Sequence, residues 1–301
     1  MVDITDKKNT LRFASAEAII IVSNKQTIRA IQKKIVPKGD VFEVSRAAGL
    51  LGVKKTSELL PDCHPLPIEF ADFEFKIEGL KISICCRLKT IYKTGIEVEA
   101  MHGASIAALN IYDMLKPIDN GVEIKTIRLL TKKGGKGDRH SLIAKINCSV
   151  IVCSDTVSKG LKEDTAGIKV IETLENWDIK IENYEIISDD IDKIQSLLKK
   201  QIKEKIFLII FVGGTGLSPR DQTPEAVTPF LERRIPGIEE AIRKYGQDRT
   251  PYAALSRSVV GMIGNSLVLT LPGSTKGAIQ SLNAIFPEAF HIFDIVKGSQ
   301  H

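Results

Sequence analysis

Tryptophan occurs once, as Trp177, and no apolar run reaches the roughly 20 residues of a bilayer-spanning helix. The N-terminus carries no apolar stretch of the signal-peptide kind. Membrane association is therefore not expected, and the cytoplasm is the expected location. Cysteine is sparse: Cys63, Cys85, Cys86, Cys148 and Cys153. The number is odd, two are adjacent and none forms a C-x-x-C pair. That pattern argues against a disulfide framework and a zinc framework, and leaves reduced thiols. No internal repeat and no low-complexity segment is present. There is also no helix-turn-helix pattern, no RNA-binding aromatic motif and no block of Lys or Arg. The net charge of +5 thus does not point to nucleic acid. The excess sits in residues 1–140, with 23 Lys+Arg against 17 Asp+Glu, while the rest has 19 against 20. Scattered basic charge of this kind suits a small, phosphate-rich substrate.

A chain of 301 residues has room for two cores, and the apolar pattern changes near residue 140. Before it, residues 15–35 read as a strand followed by a turn or short helix, and residues 40–60 as a helix. Residues 67–78 alternate through Ile68, Phe70, Phe73, Phe75 and Ile77, as a half-buried strand does. Residues 80–91 form a second strand, with Gly79 at a hairpin turn. Apolar positions at helical spacing run over 100–116. Helices with an antiparallel strand pair predict an α+β domain over 1–140. Residues 132–138, Lys-Lys-Gly-Gly-Lys-Gly-Asp, read as a polar linker or a phosphate-holding tail. From 146 to 298 strands and helices alternate: strands ending at Cys153, over 179–187, 206–212 and 267–271, helices over 165–176 and 191–204. Alternation predicts a mostly parallel sheet with helices on both faces, an α/β three-layer domain whose ligands bind beyond the carboxyl ends of the strands.

Three stretches of the first half carry chemistry. Prolines on both sides of Asp62-Cys63-His64 restrict the backbone around one histidine, which suits proton transfer or phosphate contact near neutral pH. Glu97 and Glu99 share a face if extended and diverge if helical. Asp113 and Lys116 lie three apart on a helix face. If Glu99 begins the helix that carries Asp113, about 21 Å of helix axis separates them. One small substrate would then need two chains to touch both. In the second half, an apolar strand delivers Gly213, Gly214, Thr215 and Gly216. Glycine there lets backbone N–H groups approach a phosphate. No Gly-Lys-Ser/Thr follows, so this is not a P-loop. Thr223-Pro224 reads as a helix start with Thr223 as the cap. Asp221 in that loop would repel phosphate unless a metal lies between them, which implies Mg²⁺. Ser154-Asp155, Asp189 and Gly273-Ser274 follow three other strand ends.

The first half resembles the cyclic pyranopterin monophosphate synthase family. The match runs from Met1-Val2-Asp3-Ile4 through Lys38-Gly39-Asp40-Val41-Phe42, Lys54-Lys55-Thr56-Ser57, Cys63-His64-Pro65-Leu66, Lys93-Thr94-Gly95-Ile96-Glu97-Val98-Glu99-Ala100 and Ile111-Tyr112-Asp113-Met114 to Gly134-Gly135-Lys136. The resemblance implies a ferredoxin-like α+β fold and a homo-oligomer whose site is shared between subunits. It implies conversion of cyclic dihydro-GTP to cyclic pyranopterin monophosphate with loss of pyrophosphate. Asp113 would be the acid/base, with Lys38, Lys116 and Lys132 on phosphates. Lys54, Asp62, Cys63, His64, Glu97, Val98 and Glu99 would line the pocket. Asp62 departs from the family, which often has an apolar residue there.

The second half resembles the molybdopterin adenylyltransferase family through Ser154-Asp155-Thr156, Gly213-Gly214-Thr215-Gly216, Pro219-Arg220-Asp221, Thr223-Pro224-Glu225-Ala226, Leu255-Ser256-Arg257 and Leu271-Pro272-Gly273-Ser274. That resemblance implies Mg-ATP-dependent adenylylation of molybdopterin. Asp189 and Asp221 would be the catalytic acids, with Asp221 handling Mg²⁺. Ser154, Asp155, Gly213, Gly214, Thr215, Gly216, Ser256, Gly273 and Ser274 would bind pterin and nucleotide. Val212 and Thr275 depart from the family pattern. The alternative is a second domain that binds pterin, or serves assembly, without catalysis.

Overall fold

The computed structural model describes residues 1–134 and 146–296. The chain divides into two compact units, Met1–His140 and Ser141–His301. Among the described residues no helix is long and apolar enough to cross a membrane.

The first unit runs β1 (Thr10–Ile21), α1 (Lys25–Gln32), α2 (Val41–Leu59), β2 (Phe70–Glu78), β3 (Lys81–Tyr92), α3 (Glu97–Leu115) and β4 (Glu123–Lys133). Its sheet has the order β2-β3-β1-β4, with every pair antiparallel. This is the α+β, ferredoxin-like arrangement. Alternation decides which face is buried. Ala14, Ala16, Ala18 and Ile20 on β1 and Ile82, Ile84, Cys86 and Leu88 on β3 point to the helices and are fully covered. Asp40 caps α2 by accepting the N–H groups of Phe42 and Glu43. On α3 the face toward the sheet is made of small residues: Ala100, Gly103, Ala104, Ala107 and Ala108 are buried. A helix with short side chains lies close to its neighbours.

Several boundaries differ from expectation. The first strand starts at Thr10, and α3 takes in Glu97 and Glu99. These carboxylates are thus in a first helical turn, where they face the positive end of the helix dipole, not on one face of a strand. Lys132 and Lys133 are not linker. They close β4, paired with Ala14 and Phe13; their polar side chains masked an edge strand. Residues 135–138 of the expected linker lie outside the described residues.

The second unit builds β5 (Asn147–Cys153), α4 (Asp155–Ser158), α5 (Ala166–Glu175), β6 (Lys180–Ile187), α6 (Ile191–Lys203), β7 (Leu208–Val212), α7 (Thr223–Val227), β8 (Arg233–Arg234), α8 (Pro236–Gln247), β9 (Val260–Ile263), β10 (Ser266–Leu271), α9 (Thr275–Ile285) and α10 (His291–Val296). The sheet order is β6-β5-β7-β10-β9-β8. The first four strands are parallel, and β9 and β8 extend the sheet antiparallel. One core lies under α5, α8, α9 and α10, the other under α6 and α7, giving three layers. The chain leaves β5 toward β6 on one side and returns to β7 on the other. The crevice at the carboxyl ends of β5 and β7 is therefore a switch point, where open α/β sheets bind ligands.

Gly103 tests the packing of the first unit. A Cβ there would lie 2.4 Å from Val53 Cγ2 and 3.1 Å from Phe73 Cζ, both in the core. Gly103→Ala should lower stability by about 1–2 kcal/mol, because overpacking outweighs alanine's better helix propensity. Denaturant midpoints of the two proteins check this; an unchanged or raised midpoint contradicts it.

Candidate functional site

The two ends of α3 hold different chemistry. At its C-terminal end Asp113 accepts from Lys38 Nζ at 2.5 Å and from Lys116 Nζ at 2.8 Å. Lys38 Nζ also donates to the Asp113 carbonyl at 3.0 Å. These ammonium partners, Lys116 first and then Lys38, hold the Asp113 carboxyl down at about 2. Lys116 is raised in turn by Asp113. Asp113 is thus a charged base flanked by cations and open to solvent.

At the N-terminal end Glu99 is 3% exposed. Cys63 Sγ donates to its Oε1 at 3.2 Å. Burial pushes the Glu99 carboxyl up, and burial together with Glu99 pushes the Cys63 thiol to about 11. Lys132 pairs with Glu97 Oε1. The second oxygens of Glu97 and Glu99 are buried without a partner. His64 is half-buried beside Cys63, whereas Val98 and Lys54 are exposed. Asp62 is turned to solvent and bonds the terminal amine of Met1 at 3.0 Å. The fourteen residues from Glu99 to Asp113 span about 21 Å of helix axis. Within one unit the structure does not bring the two groups together.

In the second unit a cavity of about 220 Å³ opens at the carboxyl edge of the sheet. Of the expected residues, Ser154, Asp189, Gly213, Gly214, Asp221 and Gly273 line it. Asp155, Thr215, Gly216, Ser256 and Ser274 do not. Their side chains or backbone serve elsewhere. Ser256 shares a hydrogen bond with Ser258 at 3.0 Å, and Ser274 caps α9. Thr215 and Gly216 offer their carbonyls to Arg257, at 3.2 Å and 2.8 Å. Asp155 is held by Arg220, whose Nη2 and Nε donate to Oδ2 at 2.5 Å and 2.9 Å. Arg220 keeps the Asp155 carboxyl low.

Asp155 and Asp189 are tied by exchange. The N–H of Asp155 donates to Asp189 Oδ2, and the N–H of Asp189 to Asp155 Oδ1, each at 3.3 Å. Asp189 Oδ1 remains buried and unpartnered. Burial raises the Asp189 carboxyl, with Asp155 and Asp221 adding repulsion. The glycines earn this geometry through backbone. Gly213 has φ +108° and a Cβ there would lie 2.2 Å from the Cys153 carbonyl oxygen. Gly214 has φ +61° and its Cβ would meet Thr223 Oγ1 at 2.2 Å and Asp189 Oδ1 at 2.7 Å. Thr223 is not the cap of α7. Gln222 takes that place, and Thr223 lies buried inside the first turn. Asp221 Oδ2 accepts the Ser218 N–H at 2.9 Å.

Among the described residues no three His, Cys, Asp or Glu side chains gather to hold a metal alone. Asp189 Oδ1 and Asp221 nonetheless fit a Mg²⁺ that arrives with phosphate oxygens and water, since such an ion takes only one or two protein carboxylates.

Sequence reasoning gave no site role to part of this wall. Thr156, Lys162, Asp164 and Thr165 also line the cavity. Asp164 accepts the Ala166 and Gly167 N–H groups and the Tyr184 hydroxyl, so it shapes the wall. Arg220 and Arg257 stood inside quoted motifs without a role, because a loop arginine's partner is set by the fold.

Two outcomes follow. Replacing Lys38 and Lys116 together by Met should return the Asp113 carboxyl from about 2 toward the ordinary value of about 3.9, read by carboxyl ¹³C NMR. A titration that stays near the wild-type value would show that the ammonium groups are not its cause. Gly214→Ala should destabilise the second unit by at least about 1–2 kcal/mol from backbone alone, with the added clash on Thr223 and Asp189. Thermal melts check this, and wild-type melting would contradict it.

Residues 1–135 match the model of the MoaC family, and residues 149–291 that of the probable molybdopterin binding domain. A molybdenum cofactor biosynthesis bifunctional protein of Chlorobaculum tepidum is 37% identical over 301 residues, covering 100% of this chain and 96% of its own. A cyclic pyranopterin monophosphate synthase of Trichlorobacter lovleyi is 44% identical over 138 residues, covering 45% of this chain and 86% of its own. The crystal structure of the molybdopterin biosynthesis enzyme MoaB from Thermus thermophilus is 38% identical, covering 51% of this chain and 98% of that one, with a TM-score of 0.47. With a MoaC unit followed by a molybdopterin-binding-type unit, and a full-length relative of the same order, the chain belongs to the family of molybdenum cofactor biosynthesis bifunctional proteins.

Proposed function

We propose that the first unit is a cyclic pyranopterin monophosphate synthase, converting cyclic dihydro-GTP to the cyclic pyranopterin with release of pyrophosphate. The observation that carries this is the Asp113 carboxylate between Lys38 and Lys116. Ammonium groups there stabilise the charge that develops on departing pyrophosphate. Asp113, ionised and within reach of both, moves protons. Glu99, Cys63 and His64 hold the pterin end, with Lys132 and Glu97 beside them. Because α3 keeps Glu99 and Asp113 about 21 Å apart along its axis, the working site takes one end from each of two chains. The active species is then a homo-oligomer.

The second unit, by the same reading, adenylylates molybdopterin. Asp189 Oδ1 and Asp221 would hold Mg²⁺ brought by ATP, and bound metal would supply charge neutralisation between phosphate and carboxylate. Gly213 and Gly214 let the backbone approach a phosphate, and Ser154 and Gly273 border the same cavity. A second reading, a pterin-binding unit without catalysis, is favoured by one observation: Arg220, the guanidinium nearest these acids in sequence, is already paired with Asp155.

Activity assays separate the readings. Asp113→Ala should lose pyrophosphate release by at least about 10³-fold, as removal of a proton-transfer group does. Mixed oligomers of Asp113→Ala with Glu99→Ala should regain part of it, since some interfaces carry both intact ends. No recovery, with mixing verified by mass, excludes the shared site. ATP-dependent adenylylation that disappears in Asp221→Ala supports catalysis in the second unit. Pterin binding without ATP turnover in wild type leaves the binding reading.

A further inference from the structure

The antiparallel pair α2 and α3 meets in successive layers. Asn110 donates to Ser45 Oγ at 2.8 Å. A Cβ on Gly52 would touch Ile106 Cγ1 at 2.8 Å. Thr56 Oγ1 lies 3.0 Å from His102 Nδ1. The next layer is Cys63 on Glu99. His102 is therefore directly adjacent to the Glu99 cluster, one helical turn along α3, where Cβ atoms stand about 5–6 Å apart.

The Thr56 hydroxyl sets the state of that imidazole. Its oxygen lies 3.1 Å from the Gly52 carbonyl and 3.0 Å from the Val53 carbonyl. The one hydroxyl hydrogen has three acceptors in reach, the two carbonyls and Nδ1. Back-bonding to a helix carbonyl, as a helical threonine does, leaves Oγ1 to accept from Nδ1–H of His102. That arrangement goes with the Nδ1–H tautomer of neutral His102 and leaves Nε2 as a bare acceptor. Thr56 is 1% exposed, so water does not compete for its oxygen. Among the described residues Nε2 has no hydrogen-bond partner, and it is not among the fully buried unpartnered atoms.

We propose that His102 is a further substrate-binding residue of the first unit, its Nε2 accepting a hydrogen bond from an N–H or O–H group of the pterin precursor held beside Cys63 and Glu99. This rests on the synthase reading of the first unit. The cluster otherwise offers that precursor a thiol, a carboxylate at the end of a buried helix turn, and His64. None of these is locked as an acceptor by a buried hydroxyl.

The test uses the full-length chain. His102→Asn puts an amide N–H where Nδ1–H stands, keeping the Thr56 bond while deleting Nε2. The variant should melt with wild type and raise KM for cyclic dihydro-GTP about tenfold, the loss of one hydrogen bond to substrate, with a smaller change in kcat. Thr56→Val should release the tautomer and give an intermediate rise. A reading independent of turnover comes from imidazole ¹⁵N shifts of wild type, assigned by through-bond correlation. His102 should show protonated Nδ1 and bare Nε2, and added cyclic pyranopterin monophosphate should move Nε2. An Nε2–H tautomer, an Nε2 shift unmoved at saturating product, or wild-type KM in a folded His102→Asn protein overturns the proposal. Wild type that neither turns over nor binds product would instead overturn the synthase reading beneath it.

Discussion

The close seat of α3 against the sheet and against α2 governs the first unit. Ala100, Ala104, Ala107 and Ala108 have no exposed surface, and Gly103 leaves no room for a methyl group. Short side chains bring the helix axis near its neighbours, and dense packing fixes it there. A helix held along nineteen residues is a rigid spacer. Its first turn carries Glu97 and Glu99, and its last turn carries Asp113. The same packing that makes the core therefore separates the buried acid from the exposed, cation-flanked one. Two environments on one element push two carboxyl groups in opposite directions, Glu99 up through burial and Asp113 down through Lys38 and Lys116.

A different constraint shapes the second unit. Four parallel strands end on one edge, and each is followed by a polar turn. The backbone of Gly213 passes so near the Cys153 carbonyl that no side chain fits between them. This closeness joins β5 and β7 at the switch point. Asp155 and Asp189 then lock the ends of β5 and β6 by exchanging N–H groups. The exchange leaves one Asp189 oxygen free and buried beside Gly214. Charge collects there: Asp155, Asp189 and Asp221 gather at this edge, while Arg220 neutralises Asp155. Negative charge at this edge would repel a phosphate-bearing ligand unless a cation lies between them.

Periodicity made much of the fold legible. The alternating run through Phe73 and Phe75, the hairpin at Gly79 and the helical run ending near Asp113 each gave the right element, because burial on one face leaves a pattern. The strand–helix alternation after residue 146 gave the parallel sheet for the same reason. The antiparallel strand β4 was not read from the sequence at all. Lys132 and Lys133 look like linker, since an edge strand can be polar on its exposed side. The short β8, two arginines long, has too few residues to show a period. Motifs placed Ser154, Asp189, Gly213, Gly214, Asp221 and Gly273 on one cavity, because each follows a strand and all strands end on the same edge. Asp155, Ser256 and Ser274 do not line that cavity: Asp155 is held by Arg220 from a distant loop, while Ser256 bonds Ser258 and Ser274 caps α9.

The sequence by itself determined the two-unit order, the elements that carry periodic burial and the identity of the acids and lysines. Those are properties of composition and spacing along the chain. Tertiary structure alone decided that Glu99 is buried on Cys63 while Asp113 stands between two ammonium groups. It alone decided that Arg220 reaches Asp155, that Asp189 keeps one free oxygen and that His102 Nδ1 lies against the Thr56 hydroxyl. These depend on pairs 36, 75, 65, 34 and 46 residues apart. Partner choice at such separations is set by which helices and strand ends pack together, and no local pattern records it.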